Sequence, residues 1–254
     1  MDWILEHREM QIIWEYRQMF LTGALMTLKL TTVAVLGGSV LGLFGALARI
    51  IRFEKGGIFL RGIAWLLRTL SLIYVTLFRG TPLFVQIILW YFVWLAALAN
   101  PTDGLILSGD VAAEVRRNYG SLTAGILALT VNAGAYITEI FRAGIQSIDR
   151  GQMEAARSLG LTYAQAMRYV ILPQALRRML PPLANEFITL MKDSSLLSTI
   201  AVAELTYVQA TISGRYSIYI APLYTVALIY LIMSMGLSWI FARLEKKYNT
   251  AQQR

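Results

Sequence analysis

The sequence contains no cysteine, and His7 is the single histidine among its 254 residues. Disulfides, thiolate metal sites and cysteine nucleophiles are excluded, and His7 sits in a polar stretch with no partner at ligand spacing. No metal site is expected. The chain also lacks a G-x-x-x-x-G-K-[ST] loop, so it cannot bind ATP by that route. HExxH and GxSxG patterns are missing, and no pair of catalytic carboxylates lies in an aqueous segment, which leaves no enzymatic constellation. Charge is scarce as well. Charged residues make up 15% of the chain and apolar residues 57%, where soluble domains carry about 25% and 45–50%. The mean hydropathy is +0.56. These proportions identify an integral membrane protein, and the helix-length apolar runs within it point to an all-α one.

A bilayer core needs roughly 20 mostly apolar residues per helix. Five such runs occur, at about 20–48, 82–99, 122–141, 183–203 and 218–241. A further apolar stretch, 58–78, carries Arg61 and Arg68 and is followed by Arg79. Charges inside a span are expensive, so this stretch is expected to be a basic entry segment rather than a sixth crossing.

The net charge of +8 could suggest nucleic acid, but its placement argues for membrane topology. Sixteen Lys and Arg fall in 49–79, 142–181 and the tail from 242, and five fall in the alternate segments. Basic loops stay cytoplasmic. The expected topology is an external N-terminus and a cytoplasmic C-terminus, with 246–254 as a short cytoplasmic tail and no nucleic-acid partner. Residues 1–18 contain Asp2, Glu6, Glu9 and Glu15. They do not read as a cleavable signal but as an external amphipathic segment, with Trp3, Ile4, Ile12, Ile13 and Trp14 suited to the lipid interface.

The internal loop at 146–182 is longer than a connection between membrane helices requires. It reads as two short helices: one over 153–159 closed by Gly160, and a second capped by Thr162 with Gln165 three residues on, a capping-box spacing. Tyr163, Ala166, Met167 and Val170 are expected on one face of the second, with Pro173 and the Pro181–Pro182 pair as breaks. The composition fits either an amphipathic segment resting on the membrane or a docking element.

The spacing Glu154-Ala155-Ala156, three residues, Gly160, nine residues, Val170, one residue, Leu172-Pro173 resembles the EAA loop of permease subunits of ATP-binding cassette importers. The segments FRGTPLFVQ at 78–86 and NEFITLMKDSSLLSTIAVAEL at 185–205 resemble the polar amino acid branch of that family. The resemblance covers about 20–245. It implies a five-helix permease domain in a bacterial inner membrane, paired with a second copy or a homologous permease. The loop would dock on a separate ATPase subunit, two copies per transporter, through Glu154, Ala155, Ala156, Gly160, Leu172 and Pro173. ATP and magnesium would belong to that ATPase, with no cofactor on this chain, and an external binding protein would deliver the substrate. The small residues of the loop let a partner backbone approach, while Glu154 and Arg157 can orient it by charge.

Ionisable residues within spans are functional candidates. Glu139, three residues before Arg142, reads as an ordinary helical ion pair. Lys29 can snorkel or pair with a carboxylate on another helix. Glu186 and Asp193 are seven residues apart, two helical turns, so both face one side of a helix about 10 Å apart with Thr189 between them. Within the resembled branch the matching carboxylates line the translocation site in some cationic amino acid permeases. The resemblance therefore implies a polar and cationic substrate, arginine, lysine or histidine. Glutamine and glutamate stay open because every amino acid carries an α-ammonium. An alternative use of Asp193 is neutralisation by Lys192 or Lys29. Arg79 reads as a lipid-phosphate anchor or as a brace for the fourth helix, and Gly38 with Gly42 forms a spacing that permits close helix packing. The competing class is a stand-alone secondary transporter or channel, which often shows an internal repeat. The two halves of this chain show none.

Overall fold

The computed structural model describes residues 2–51 and 57–249, with side chains described for 8–51 and 57–247. His7, Trp3, Ile4, Arg52 and Lys55 have their side chains outside the described set, as does the expected tail from 250 onward. Nine helical segments follow in order among the described residues. They are α1 (Asp2–Glu15), α2 (Arg17–Ile50), α3 (Ile58–Gly80), α4 (Leu83–Leu98), α5 (Gly109–Gln146), α6 (Arg150–Ser158), α7 (Tyr163–Ile200), α8 (Leu205–Tyr216) and α9 (Ile220–Asn249).

By length and composition, α2, α3, α5 and α9 can each cross a membrane, and α7 with α8, bent by 42° at their break, make a fifth candidate. The chain is a multi-pass helical membrane protein. The ends differ in detail from the apolar runs. The stretch expected as an entry segment is a helix of 23 residues over Ile58–Gly80. The run at 82–99 becomes α4, whose 16 residues at about 1.5 Å each reach about 24 Å, short of a hydrocarbon core of about 30 Å. It carries a π turn over Trp90–Trp94. Helix α5 has 38 residues, so the segment containing Arg116 and Arg117 is helical.

The chain folds as two compact units, one of 1–35, 81–130 and 189–236, the other of 36–80, 131–188 and 237–254. In the first, Ile12, Phe20, Leu205, Val208, Ile212 and Val226 form a core. Helix α1 is seated there by Ile12, by a 3.1 Å hydrogen bond between the Tyr16 and Tyr216 hydroxyls, and by Glu9, which accepts from the Ala221 backbone N–H at the start of α9. Gly23 lets α2 meet the Leu205 backbone, where a Cβ would approach within 3.1 Å.

In the second unit, Gly42 and Gly45 of α2 lie against Ile137 and Thr138 of α5, leaving no room for a Cβ. The small-residue spacing in α2 thus serves close packing, with Gly45 extending it. Helix α3 is tied down by Ser71 Oγ donating to the Gly45 carbonyl at 2.9 Å and Tyr74 donating to the Val131 carbonyl at 2.6 Å; Asn132 donates to the Phe78 carbonyl at 3.2 Å.

The prolines of the long loop do not break the chain as expected. Helix α7 contains a π turn over Met167–Ile171 and then an α-helix over Leu172–Asp193 that passes through Pro181 and Pro182. The wider π turn sits directly before Pro173, where it relieves the clash of the ring with the preceding turn. Ile171, Ala175 and Met179 pack on one core, with Leu183 against it. Tertiary burial on both sides of the proline pair holds the helix across its two missing hydrogen bonds.

Candidate functional site

The loop after α5 has the caps and the glycine stop that its sequence suggests, while its first helix starts at Arg150 and its second runs on to Ile200. Asp149 caps α6 by accepting from the Gly151 N–H at 2.7 Å. Gly160 ends it at φ +87°, a left-handed conformation that favours glycine. Thr162 and Gln165 then form a reciprocal capping box at the start of α7. Arg178 donates to the Ser147 carbonyl, and Ile148, Ile171, Ala175 and Met179 form the core under both helices, with Met153, Met167 and Val170 against it.

This core sorts the expected docking residues. Glu154, Ala155, Gly160, Leu172 and Pro173 are exposed. Ala156 is 4% exposed, so it packs inward and offers no surface. On α7, Ala166 is buried while Tyr163 is exposed, so the four residues expected on one face are divided. Leu159, 85% exposed, extends the outward apolar surface beside Gly160.

The two candidate substrate carboxylates share α7 but differ in setting. Glu186 is half-buried and engaged within the protein. Asp193 is half-buried and is the last residue of the α-helix before the 3₁₀ segment Ser194–Ile200. It therefore sits where the helix changes pitch, not in the middle of a regular helix over 183–203. The 3₁₀ segment ends at Ala201 with φ 60°. Among the described residues neither Lys192 nor Lys29 forms an ion pair with Asp193; both lysines are exposed. Interrupted helices of this kind build midplane ligand sites in transporters.

Sequence reasoning did not single out Glu204. Its side chain is 0% exposed and caps α8, accepting from the Thr206 and Tyr207 backbone N–H groups at 2.8 and 2.7 Å and from the Tyr230 hydroxyl at 2.9 Å. The Leu205 N–H goes to Thr27 Oγ1 at 3.3 Å. Helices α2, α8 and α9 thus meet at one buried carboxylate. The available signal was an acid between two apolar segments at an N-cap position.

Glu139 makes the expected pair with Arg142 at 2.6 Å and also pairs with Arg49 of α2. A contact across ninety residues carries no local spacing signal. Arg79 lies over the Tyr136 ring at 5.1 Å, a cation–π contact with α5.

Residues 56–250 match the sequence family described as the inner membrane component of binding-protein-dependent transport systems. The chain belongs to that family. The permease resemblance of the loop is thereby borne out, and the chain is a transport component rather than an enzyme. Members similar to it include the probable glutamine ABC transporter permease GlnM of Bacillus subtilis (strain 168), 37% identical over 93% of this chain and 98% of the relative. The glutamine transport system permease GlnP of Escherichia coli (strain K12) is also 37% identical, over 92% of this chain and 95% of its own length. Among solved permease structures, an amino acid ABC transporter with histidines matches with a TM-score of 0.75 and 37% identity, covering 92% of this chain and 96% of that one. The inward-facing MetNI methionine ABC transporter matches at 0.67 and 26%, covering 92% and 98%.

Proposed function

We propose that this chain is the permease subunit of an ATP-driven importer for a polar, uncharged amino acid, with glutamine as the leading substrate. The observation that carries this reading is the end-to-end match to permeases named for glutamine transport. The site chemistry supports it. A zwitterionic amino acid brings one ammonium, and Asp193, which feels the charge of Lys192 but makes no hydrogen bond or ion pair among the described residues, can meet it, while Glu186 is engaged within the protein. One open carboxylate suits one ammonium; a dibasic ligand would need a second. The cationic substrate suggested by the shared face of Glu186 and Asp193 is the second reading, and the histidines of the similar amino acid transporter favour it.

The working assembly in this reading has two permeases, two ATPases holding ATP and magnesium, and an external binding protein, in a bacterial inner membrane with the α6–α7 loop on the cytoplasmic side. Glu154, Ala155, Gly160, Leu172 and Pro173 contact the ATPase, and Ala156 supports them from within. Closure of the ATPases moves the loop and tilts the helices attached to it.

The test is competition in proteoliposomes holding the permease, its ATPase and its binding protein, with labelled glutamine as the transported species. Unlabelled glutamine should compete far better than arginine, lysine or histidine, and uptake should require internal ATP. Preferential block by arginine would move the substrate to the cationic class. Uptake by the permease alone on an ion gradient would overturn the importer reading.

A further inference from the structure

A cavity of about 460 Å³ lies in the first unit, lined by Tyr91, Phe92 and Leu95 of α4, Pro101 of the following loop, and Ala113, Arg116, Arg117 and Gly120 of α5. Ala113, Arg116, Arg117 and Gly120 follow an i, i+3, i+4, i+7 pattern, so α5 presents one face to it. No carboxylate lines the cavity. Both arginines are exposed, and no hydrogen bond or ion pair engages either guanidinium among the described residues. These two cations are adjacent, and neither is answered among the described residues.

Their level along α5 identifies what answers them. The apolar run of α5 begins at Leu122, five residues after Arg117, which at about 1.5 Å per residue puts the pair about 8 Å beyond the hydrocarbon edge. That is the depth of lipid headgroups. Phe92 is 64% exposed beside the cavity, and Val93 and Tyr119 are exposed near it, an aromatic and apolar surface suited to acyl chains and the interfacial belt. The loop at 99–108 is pinned by backbone hydrogen bonds from Leu105, Ile106 and Leu107 to the carbonyls of Ala97 and Leu98. It holds the exposed pair Leu105–Ile106 outward, toward the same interface.

We propose that this cavity binds the phosphodiester of an anionic membrane lipid, at the membrane face where α5 begins. The phosphate sits between Arg116 and Arg117, the headgroup rests on Tyr91 and Pro101, and the acyl chains run down over Phe92 and Val93. The proposal rests on the membrane-permease reading. Paired guanidiniums suit a phosphate because their planar forks offer several donors to its oxygens.

The test uses the intact permease–ATPase complex purified in detergent and incubated with phosphatidylglycerol, with retained lipid measured by native mass spectrometry. The wild type should retain the lipid. Arg116→Gln with Arg117→Gln should bind it roughly 30-fold more weakly. The double lysine variant should recover most of that loss, because it keeps the charge, and both variants should co-purify with the ATPase. Equal retention by wild type and the glutamine variant would overturn the proposal. So would displacement of the lipid by soluble glycerol 3-phosphate at matched concentration, which would make this a site for a free anion. Unchanged lipid retention with lost ATPase stimulation by the binding protein would give the cavity to an acidic protein surface instead. ATP-dependent uptake by the same wild-type preparation reports on the permease reading separately, so failure of one leaves the other tested.

Discussion

Two carboxylates placed among apolar helices are stabilised in opposite ways. Glu139 is answered by full charges: Arg142 one turn along its own helix and Arg49 from α2. Among the described residues Glu204 pairs with no cation and is answered by dipoles: two N–H groups at the start of α8 and the Tyr230 hydroxyl. Glu139 remains 17% exposed on its side chain, so it and its partners keep part of their hydration and the Coulomb attraction is correspondingly moderated. Glu204 is wholly buried, and there the unmade bond is the expensive outcome, because a buried polar group left without a partner bears its full desolvation cost. The ion cluster joins two helices with side chains that can rearrange. The buried cap fixes a helix start, and so fixes where the broken span α7–α8 resumes.

The comparison breaks most directly at Glu204. Glu204→Ala should cost about 2–4 kcal/mol, since it strands the Thr206 and Tyr207 N–H groups at the start of α8, read as a drop in unfolding temperature of the detergent-purified complex. Glu204→Gln keeps one acceptor oxygen and should cost about half as much. Neither loss should change with ionic strength, because no full charge pair is involved. A cost for the alanine variant below about 0.5 kcal/mol would mean that the cap is not what holds α8.

Glu139→Ala should cost about 2 kcal/mol by removing the carboxylate that Arg49 and Arg142 share, and added salt should ease the defect. A double-mutant cycle of Glu139→Gln with Arg49→Gln should give a coupling of about 1 kcal/mol. Zero coupling would reduce the contact to a bystander. Gly45→Ala drives a methyl into Thr138 and should cost about 1–2 kcal/mol by overpacking. Gly160→Ala, at φ +87°, should cost about 1 kcal/mol through backbone strain alone. Its readout is local hydrogen exchange in 150–166, which should rise while α2 and α5 stay protected.

The features legible in the sequence are those whose cause is local. The capping box of Thr162 and Gln165, the stop at Gly160 and the Glu139–Arg142 pair each follow from spacings of a few residues, and each is found where the spacing puts it. The prolines misled because a local rule met a non-local force: burial of Ile171, Ala175 and Met179 outweighs the hydrogen bonds that Pro181 and Pro182 remove. Arg49 was unreadable as a partner of Glu139 because only folding brings them together. Asp193 was legible as an unusual residue, but its place at the junction of α and 3₁₀ geometry was not, since Ser-Ser-Leu-Leu-Ser carries no strong breaker. Glu204 hid for the opposite reason: it sits at the edge of an apolar run, where an acid reads as a loop residue and only the packing of Tyr230 and Thr27 shows it to be internal.

In the proposed reading Asp193 is the carboxylate that meets the substrate ammonium, with Glu186 serving the protein. Uptake of labelled glutamine into proteoliposomes holding the full complex, compared among wild type, Asp193→Asn and Glu186→Gln, tests it directly. Losing a hydrogen bond to a charged group should lower uptake at limiting substrate by about tenfold or more in Asp193→Asn, while Glu186→Gln stays within about threefold of wild type. Wild-type uptake by Asp193→Asn in an assembled complex, or a block confined to Glu186→Gln, would contradict the account.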